Sequence, residues 1–158
     1  MKIRTDFVTN SSSSSFITFI INTNKARIEI EFGEKDYWMN IGHTPEQETL
    51  EELIECRSFY DVVALLGIDE DDGTCLYSAI ENGSDTHEKF DSLEEMIDFF
   101  DGDRMLELES VVVMSGEVDL YGEFFSSTYD RKRFQARGVY LDSVVVYDII
   151  NKTMEIKI

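Results

Sequence analysis

The stretch Phe16-Ile17-Thr18-Phe19-Ile20-Ile21-Asn22-Thr23-Asn24-Lys25-Ala26-Arg27-Ile28-Glu29-Ile30-Glu31-Phe32 decides the fold class. Its opening, Phe16 to Asn22, is a β-branched and aromatic run and predicts a strand. Asn22-Thr23-Asn24-Lys25 supplies turn residues. Arg27 to Phe32 then alternates strictly, which places Ile28, Ile30 and Phe32 on one face of a second strand. The two segments together predict a β-hairpin ended by Gly33.

Beyond the hairpin the period changes from two to that of a helix. Thr44 as N-cap, Pro45 at the first helical position and Gln47 as the far member of a capping box predict a helix start. Leu50, Leu53 and Ile54 form its buried stripe. Ser58 with Asp61 repeats the capping pattern, so a second short helix is expected through Phe59, Val62, Val63 and Leu66, stopped by Gly67. Thr74–Glu81 and Thr86–Phe90 flank Asn82-Gly83, the dipeptide that most favours a tight hairpin turn. Asp91-Ser92-Leu93-Glu94-Glu95 is a third capping box, ahead of Met96, Ile97, Phe99 and Phe100, with Gly102 closing that helix.

From residue 105 the chain turns rich in Val, Ile, Tyr and Phe. Met105–Met114, Glu117–Phe125, Phe134–Leu141, Ser143–Ile150 and Thr153–Ile158 read as strands, with Ser115-Gly116 and Asn151-Lys152 as turns. The expected architecture is α+β: an N-terminal β-hairpin, about three short helices and a C-terminal antiparallel β-meander. One proline and no repeat of solenoid period give no sign of a linker, so 1–158 is expected to be one domain, with 1–15 as a flexible N-terminal arm.

That arm is the most distinctive segment of the chain. Lys2-Ile3-Arg4-Thr5-Asp6-Phe7-Val8-Thr9-Asn10 leads into Ser11, Ser12, Ser13, Ser14 and Ser15 and then Phe16. It resembles an N-terminal signature, roughly K-x-R-x-x-F-V-T-N-S-S-S-S-S-F, that recurs at the start of otherwise dissimilar, uncharacterised bacterial and phage proteins. The resemblance covers about a tenth of the chain and implies no activity, cofactor or catalytic residue. Two readings compete on the residues alone. Serines beside Asn10 can bond their own backbone and hold a loop. Alternatively, Phe7, Asn10, Ser11–Ser15 and Phe16 form a recognition or modification tag, in which phosphorylation would add charge and acceptor oxygens.

The chain has 158 residues, 42% hydrophobic and 12% aromatic, enough for a substantial core. Against 33 Asp and Glu stand 14 Lys and Arg, a formal net charge of −19. Residues 46–109 hold 21 of the acids and three of the bases (Arg57, Lys89, Arg104), a net of −18, so the flanking segments are almost neutral. A surface of this sign disfavours nucleic-acid backbones and anionic membranes. No apolar stretch reaches the length of a membrane span, and Cys56 and Cys75 lack the spacing of a zinc site or a disulfide framework. A soluble, cytoplasmic protein with free thiols is expected.

Chemistry-bearing patterns are sparse. Asp69-Glu70-Asp71-Asp72-Gly73 has the composition of a calcium loop, but glycine falls fifth and Ile80 stands at the twelfth place, so the register fails. His43 and His87 have no metal-ligand spacing. Cys56 follows an acidic helix that should raise its thiol pKa. No nucleophile elbow or phosphate-binding loop is present. No catalytic residue, metal or cofactor is therefore assigned. The basic run Arg131-Lys132-Arg133 reads as a charged turn, or as a contact for the acidic middle of a second copy.

What remains is the acidic face itself: Glu48, Glu51, Glu52 and Glu55 on the first helix, with Asp69, Glu70, Asp71 and Asp72 after the second. The expectation is a non-enzymatic interaction module that meets a protein partner with a basic surface. Two alternatives are a nucleic-acid mimic that occupies a DNA-binding protein, and a hydrolase or transferase drawing on the same carboxylates. A deep pocket of converging carboxylates would favour the enzyme, and an open acidic face the module.

Overall fold

The computed structural model describes residues 13–34, 43–68, 74–101, 107–119 and 139–157. In chain order these form β1 (Ser13–Thr23), β2 (Ala26–Glu34), α1 (Gln47–Glu55), α2 (Phe59–Leu66), β3 (Thr74–Glu81), β4 (His87–Phe90), α3 (Leu93–Asp101), β5 (Leu108–Asp119), β6 (Val139–Asp148) and β7 (Thr153–Ile156). The strands make one sheet in the order β4-β3-β2-β1-β5-β6-β7, with every neighbouring pair antiparallel. The α+β expectation, with its N-terminal hairpin, three helices and C-terminal meander, is what the chain adopts.

The hairpin sits at the centre because its first strand can be buried on both faces. Phe16 to Ile21 are six consecutive residues no more than 4% exposed. Ile17, Phe19 and Ile21 join Ile28, Ile30 and Phe32 of β2, Val111 and Val113 of β5, and Val145 and Tyr147 of β6 beneath all three helices. Leu50 and Leu53 of α1, Phe59, Val62 and Val63 of α2, and Leu93, Met96 and Phe100 of α3 complete this main core. α3 carries the chain from β4, at one edge, back over the helical face to β5 beside β1.

The opposite face of β1 belongs to a second, smaller cluster of Phe16, Ile20, Val112, Met114 and Val144. Glu29 and Glu31 of β2 share that face, since Ile20 pairs with Glu29 and Thr18 with Glu31. Alternating polar residues in a strand ordinarily meet water, yet Glu29 and Glu31 are buried here. Arg27 Nε lies 3.6 Å from Glu29 Oε1 and offsets part of that cost. Thr18 is wholly buried, and its hydroxyl has no hydrogen-bond partner among the described residues. Burying an unpaired hydroxyl is unfavourable, so Thr18→Val is expected to raise unfolding stability by about 1 kcal/mol. Urea denaturation checks this, and a loss of stability would show that the hydroxyl has a partner.

Several local expectations give way to long-range contacts. Ser13–Ser15, assigned above to the flexible arm, stand in β1 and pair with β5, Ser15 also with Glu34 of β2. Ser115-Gly116 makes no turn: β5 runs straight through it, and β6 takes up a register shift in which Ser115 faces Ser143 and Gly116 faces Leu141. With β1 on one side and β6 on the other, ladder bonds outweigh the local turn preference. The expected β3–β4 hairpin forms, and Asn82-Gly83 makes its tight turn, Ser84 N–H donating to Glu81 O at 3.0 Å. Only Gly83 has positive φ (89°), so the turn is not type I′, and the connection runs on through Thr86. Asn82 is also held by the neighbouring hairpin, its N–H donating to Lys25 O at 2.9 Å and its Nδ2 to Asn24 O at 3.0 Å. The Asn151-Lys152 turn forms as expected, with Asp148 Oδ1 accepting from Asn151 N at 3.0 Å.

Candidate functional site

The two helices after β2 are built from local signals of unequal strength. Ser58 caps α2, its Oγ accepting from Asp61 N at 3.1 Å, while Asp61 Oδ2 accepts from Arg57 N at 3.1 Å. Gly67 ends α2 in the left-handed conformation, φ 69°. α1 starts differently from its sequence expectation. Its N-cap is Glu46, with no side-chain cap, and Thr44 lies outside the helix. Just ahead of this start, His43 Nε2 and the Tyr147 hydroxyl of β6 share a hydrogen bond of 2.5 Å. The His43 and Tyr147 rings stand edge to face, centroids 5.6 Å apart. Burial raises the Tyr147 pKa, with the bonds from Glu46 and Thr49 working against it. Burial also lowers that of His43, opposed by the Glu46 charge.

With Leu50 and Leu53 buried, α1 turns Glu48, Glu51, Glu52 and Glu55 outward, all exposed. Across from them α2 contributes Asp61, Ala64 and Leu65, and Cys56 lies at the corner. Together they line an open groove of about 740 Å³. Sequence spacing marks Asp61 only as part of a cap and Cys56 only as a free thiol, because their place beside α1 depends on the break at residues 56–58. The thiol is held protonated, its pKa raised to about 11 by burial and then by Asp61 and Glu52, with Arg57 opposing. It donates to Glu52 O at 3.4 Å and makes a poor nucleophile at neutral pH.

The groove is electrostatically one-sided. Glu48 with Glu51 and Glu52, and Glu55 with Glu51 and Glu52, are like-charge pairs at helical spacings of three and four. Each costs an isolated helix roughly 0.2–0.5 kcal/mol. No basic residue stands in the last turn of α1, where a cation would favour the helix dipole. Arg57, just beyond, directs Nη1 to the carbonyls of Ile54 and Cys56 at 3.4 and 3.3 Å.

Of the other sequence candidates, Phe16 is buried in the second core cluster and Ser13–Ser15 are strand residues. Phe7, Asn10, Ser11, Ser12 and Asp69–Asp72 lie outside the described residues, as does the basic run 131–133. Among the described residues no group of three or more His, Cys, Asp or Glu side chains could hold a metal ion, and no helix is long and apolar enough to cross a membrane. Comparisons with protein-family models, with curated proteins and with solved structures find nothing that matches this chain.

Proposed function

We propose that the protein is a small, cytoplasmic, non-enzymatic interaction module whose α1–α2 face receives a basic segment of a protein partner. The observation that carries this reading is the unrelieved acidity of α1. Four glutamates repel one another along one exposed side of a nine-residue helix, and the neighbouring helix adds Asp61 to the same groove. Solubility alone requires no such placement, since carboxylates interspersed with lysines would serve it without loss of helix stability. A surface that costs stability when free and gains an interaction with an incoming cation suits a binding site. The groove is open, and its carboxylates line a face instead of closing on one point, which suits docking better than acid–base chemistry.

The tag reading of the serine segment narrows beside this. Ser13 and Ser14 are already paired with β5, and Ser15 with both β5 and β2, so recognition or modification is proposed only for the part ending at Ser12.

Affinity capture from the native host at about 20 mM and about 500 mM salt tests the module, since exposed charges are screened at the higher value. Wild type is compared with Glu48→Gln/Glu51→Gln/Glu52→Gln/Glu55→Gln and with a chain lacking residues 1–12. The expected result is a salt-sensitive protein partner whose affinity falls about tenfold in the quadruple variant, equivalent to roughly 1.4 kcal/mol. The same variant should unfold at a higher temperature, because its like-charge pairs are gone. A partner retained equally by the quadruple variant would refute the reading.

A further inference from the structure

We propose that β7 is a self-association edge, where a second copy of this chain adds its own β7 antiparallel about a two-fold axis through Ile156. β7 ends the sheet on one side, and none of its residues lines the α1–α2 groove.

The edge is open and its backbone groups point outward. Ile156 is 56% exposed, with the side chains of Glu155 and Lys157 at 65% and 38%. Lys157 N–H donates inward to Val144 O of β6 at 2.8 Å. Successive residues of an antiparallel edge strand turn their N–H and C=O alternately toward the neighbouring strand and away from it. Glu155 therefore also faces β6, and Met154 and Ile156 direct both groups away from the sheet. Such a row is a ready template for another strand.

Symmetry and charge select the occupant and its register. A two-fold axis perpendicular to a sheet keeps each face on its own side, so opposed residues are those whose side chains share a face. A centre on Glu155 would set that carboxylate against its own copy. A centre on Met154 would leave it opposite Thr153. A centre on Ile156 sets Glu155 opposite Lys157 and Lys157 opposite Glu155, while the two Ile156 residues exchange a reciprocal pair of N–H···O bonds. Glu155 and Lys157 share a face, their charges 3.4 Å apart within one copy, so both cross-strand pairs form together. Opposite charges facing across strands stabilise a sheet. The other edge, β4, has no such register: Glu88 and Lys89 lie on opposite faces, and a centre on either sets a charge against itself. The net charge of −19 opposes any meeting of two copies, but its excess lies in 46–109. Residues 149–157 carry Lys152 and Lys157 against Glu155 alone. The joined sheet would hold the helices of both copies on the same side.

Sedimentation equilibrium of the full chain, at about 150 mM salt so that distant charges are screened, is run from about 10 μM to about 1 mM, the range of a weak contact. The weight-average mass is expected to rise from one chain toward two. Ile156→Pro takes away the outward N–H and leaves the β6 ladder intact, and should weaken association about tenfold or more. Glu155→Lys and Lys157→Glu each set like charges across the axis and should weaken it by a similar factor. An equimolar mixture of these two variants should recover the wild-type mass, because the lysines of one meet the glutamates of the other. Each variant still carries like charges along its own strand, so repair within a chain cannot account for that recovery. A wild type that stays a single chain would overturn the proposal and leave the edge to a strand of another protein. Growth beyond two chains, as when β7 meets β4 head to tail, would overturn it too, as would a mixture that stays dissociated.

Discussion

Phe16→Ala is expected to cost about 3–5 kcal/mol of unfolding stability, the range for removing a buried aromatic ring from a packed core. The sequence places Phe16 at the end of a serine run, where an aromatic could serve as an exposed anchor. The structure leaves it 1% exposed, in a cluster with Ile20, Val112, Met114 and Val144 on the sheet face away from the described helices. It pairs with Gly116 of β5 and Gly33 of β2. Truncation to alanine would leave a void in the middle of the sheet that neighbouring strands, fixed by their ladders, cannot collapse to fill. Urea denaturation with an unchanged m-value would register this as a stability loss alone. A cost under about 1 kcal/mol would mean that the ring is solvated, and that the second face is not a core.

The parts of the fold legible in sequence are those whose partners are near in sequence. Ser58 and Ser92 cap helices three residues ahead, the latter accepting from Glu95 N at 3.1 Å. Gly67 and the Asn151-Lys152 turn likewise depend on immediate neighbours. The start of α1 is not of this kind. It has no side-chain cap, and His43 just ahead of it bonds Tyr147, about a hundred residues later, which no local pattern identifies among seven tyrosines. The same limit applies to Asn82, whose Nδ2 reaches the β1–β2 turn, and to Ser115-Gly116, a turn dipeptide absorbed into a strand with neighbours on both sides. Glu29 and Glu31 show a third limit: alternation places them on one face but says nothing of whether that face is wet.

The candidate site divides in the same way. Glu48, Glu51, Glu52 and Glu55 follow from helical spacing once Leu50 and Leu53 are taken as inward. That Asp61 completes their groove requires the angle between α1 and α2, which the sequence signals only as a break.

Phe59 anchors α2 to α3, and Phe59→Ala is expected to cost about 3–5 kcal/mol. Its ring is fully buried and packs against Phe100 of α3, centroids 5.4 Å apart and tilted by 55°. Its backbone N–H donates to Asp101 Oδ1 at 2.8 Å, and that of Tyr60 to Oδ2 at 3.2 Å. The last residue of α3 thus places a carboxylate on the first amides of α2, where free N–H groups and the helix dipole both favour a negative group. Asp101→Ala should cost about 1.5–3 kcal/mol, as expected for a hydrogen-bonded charged partner. Both contacts dock the same two helix ends, so their losses should not add. Once Phe59→Ala has loosened α2 from α3, Asp101 holds its amides less well. The double variant should then fall short of the summed single costs by roughly 0.5 kcal/mol or more. Strict additivity in a double-mutant cycle would mean that Asp101 acts only as a local cap. In that case the orientation of α2, and with it the groove facing α1, would depend on the aromatic contact alone.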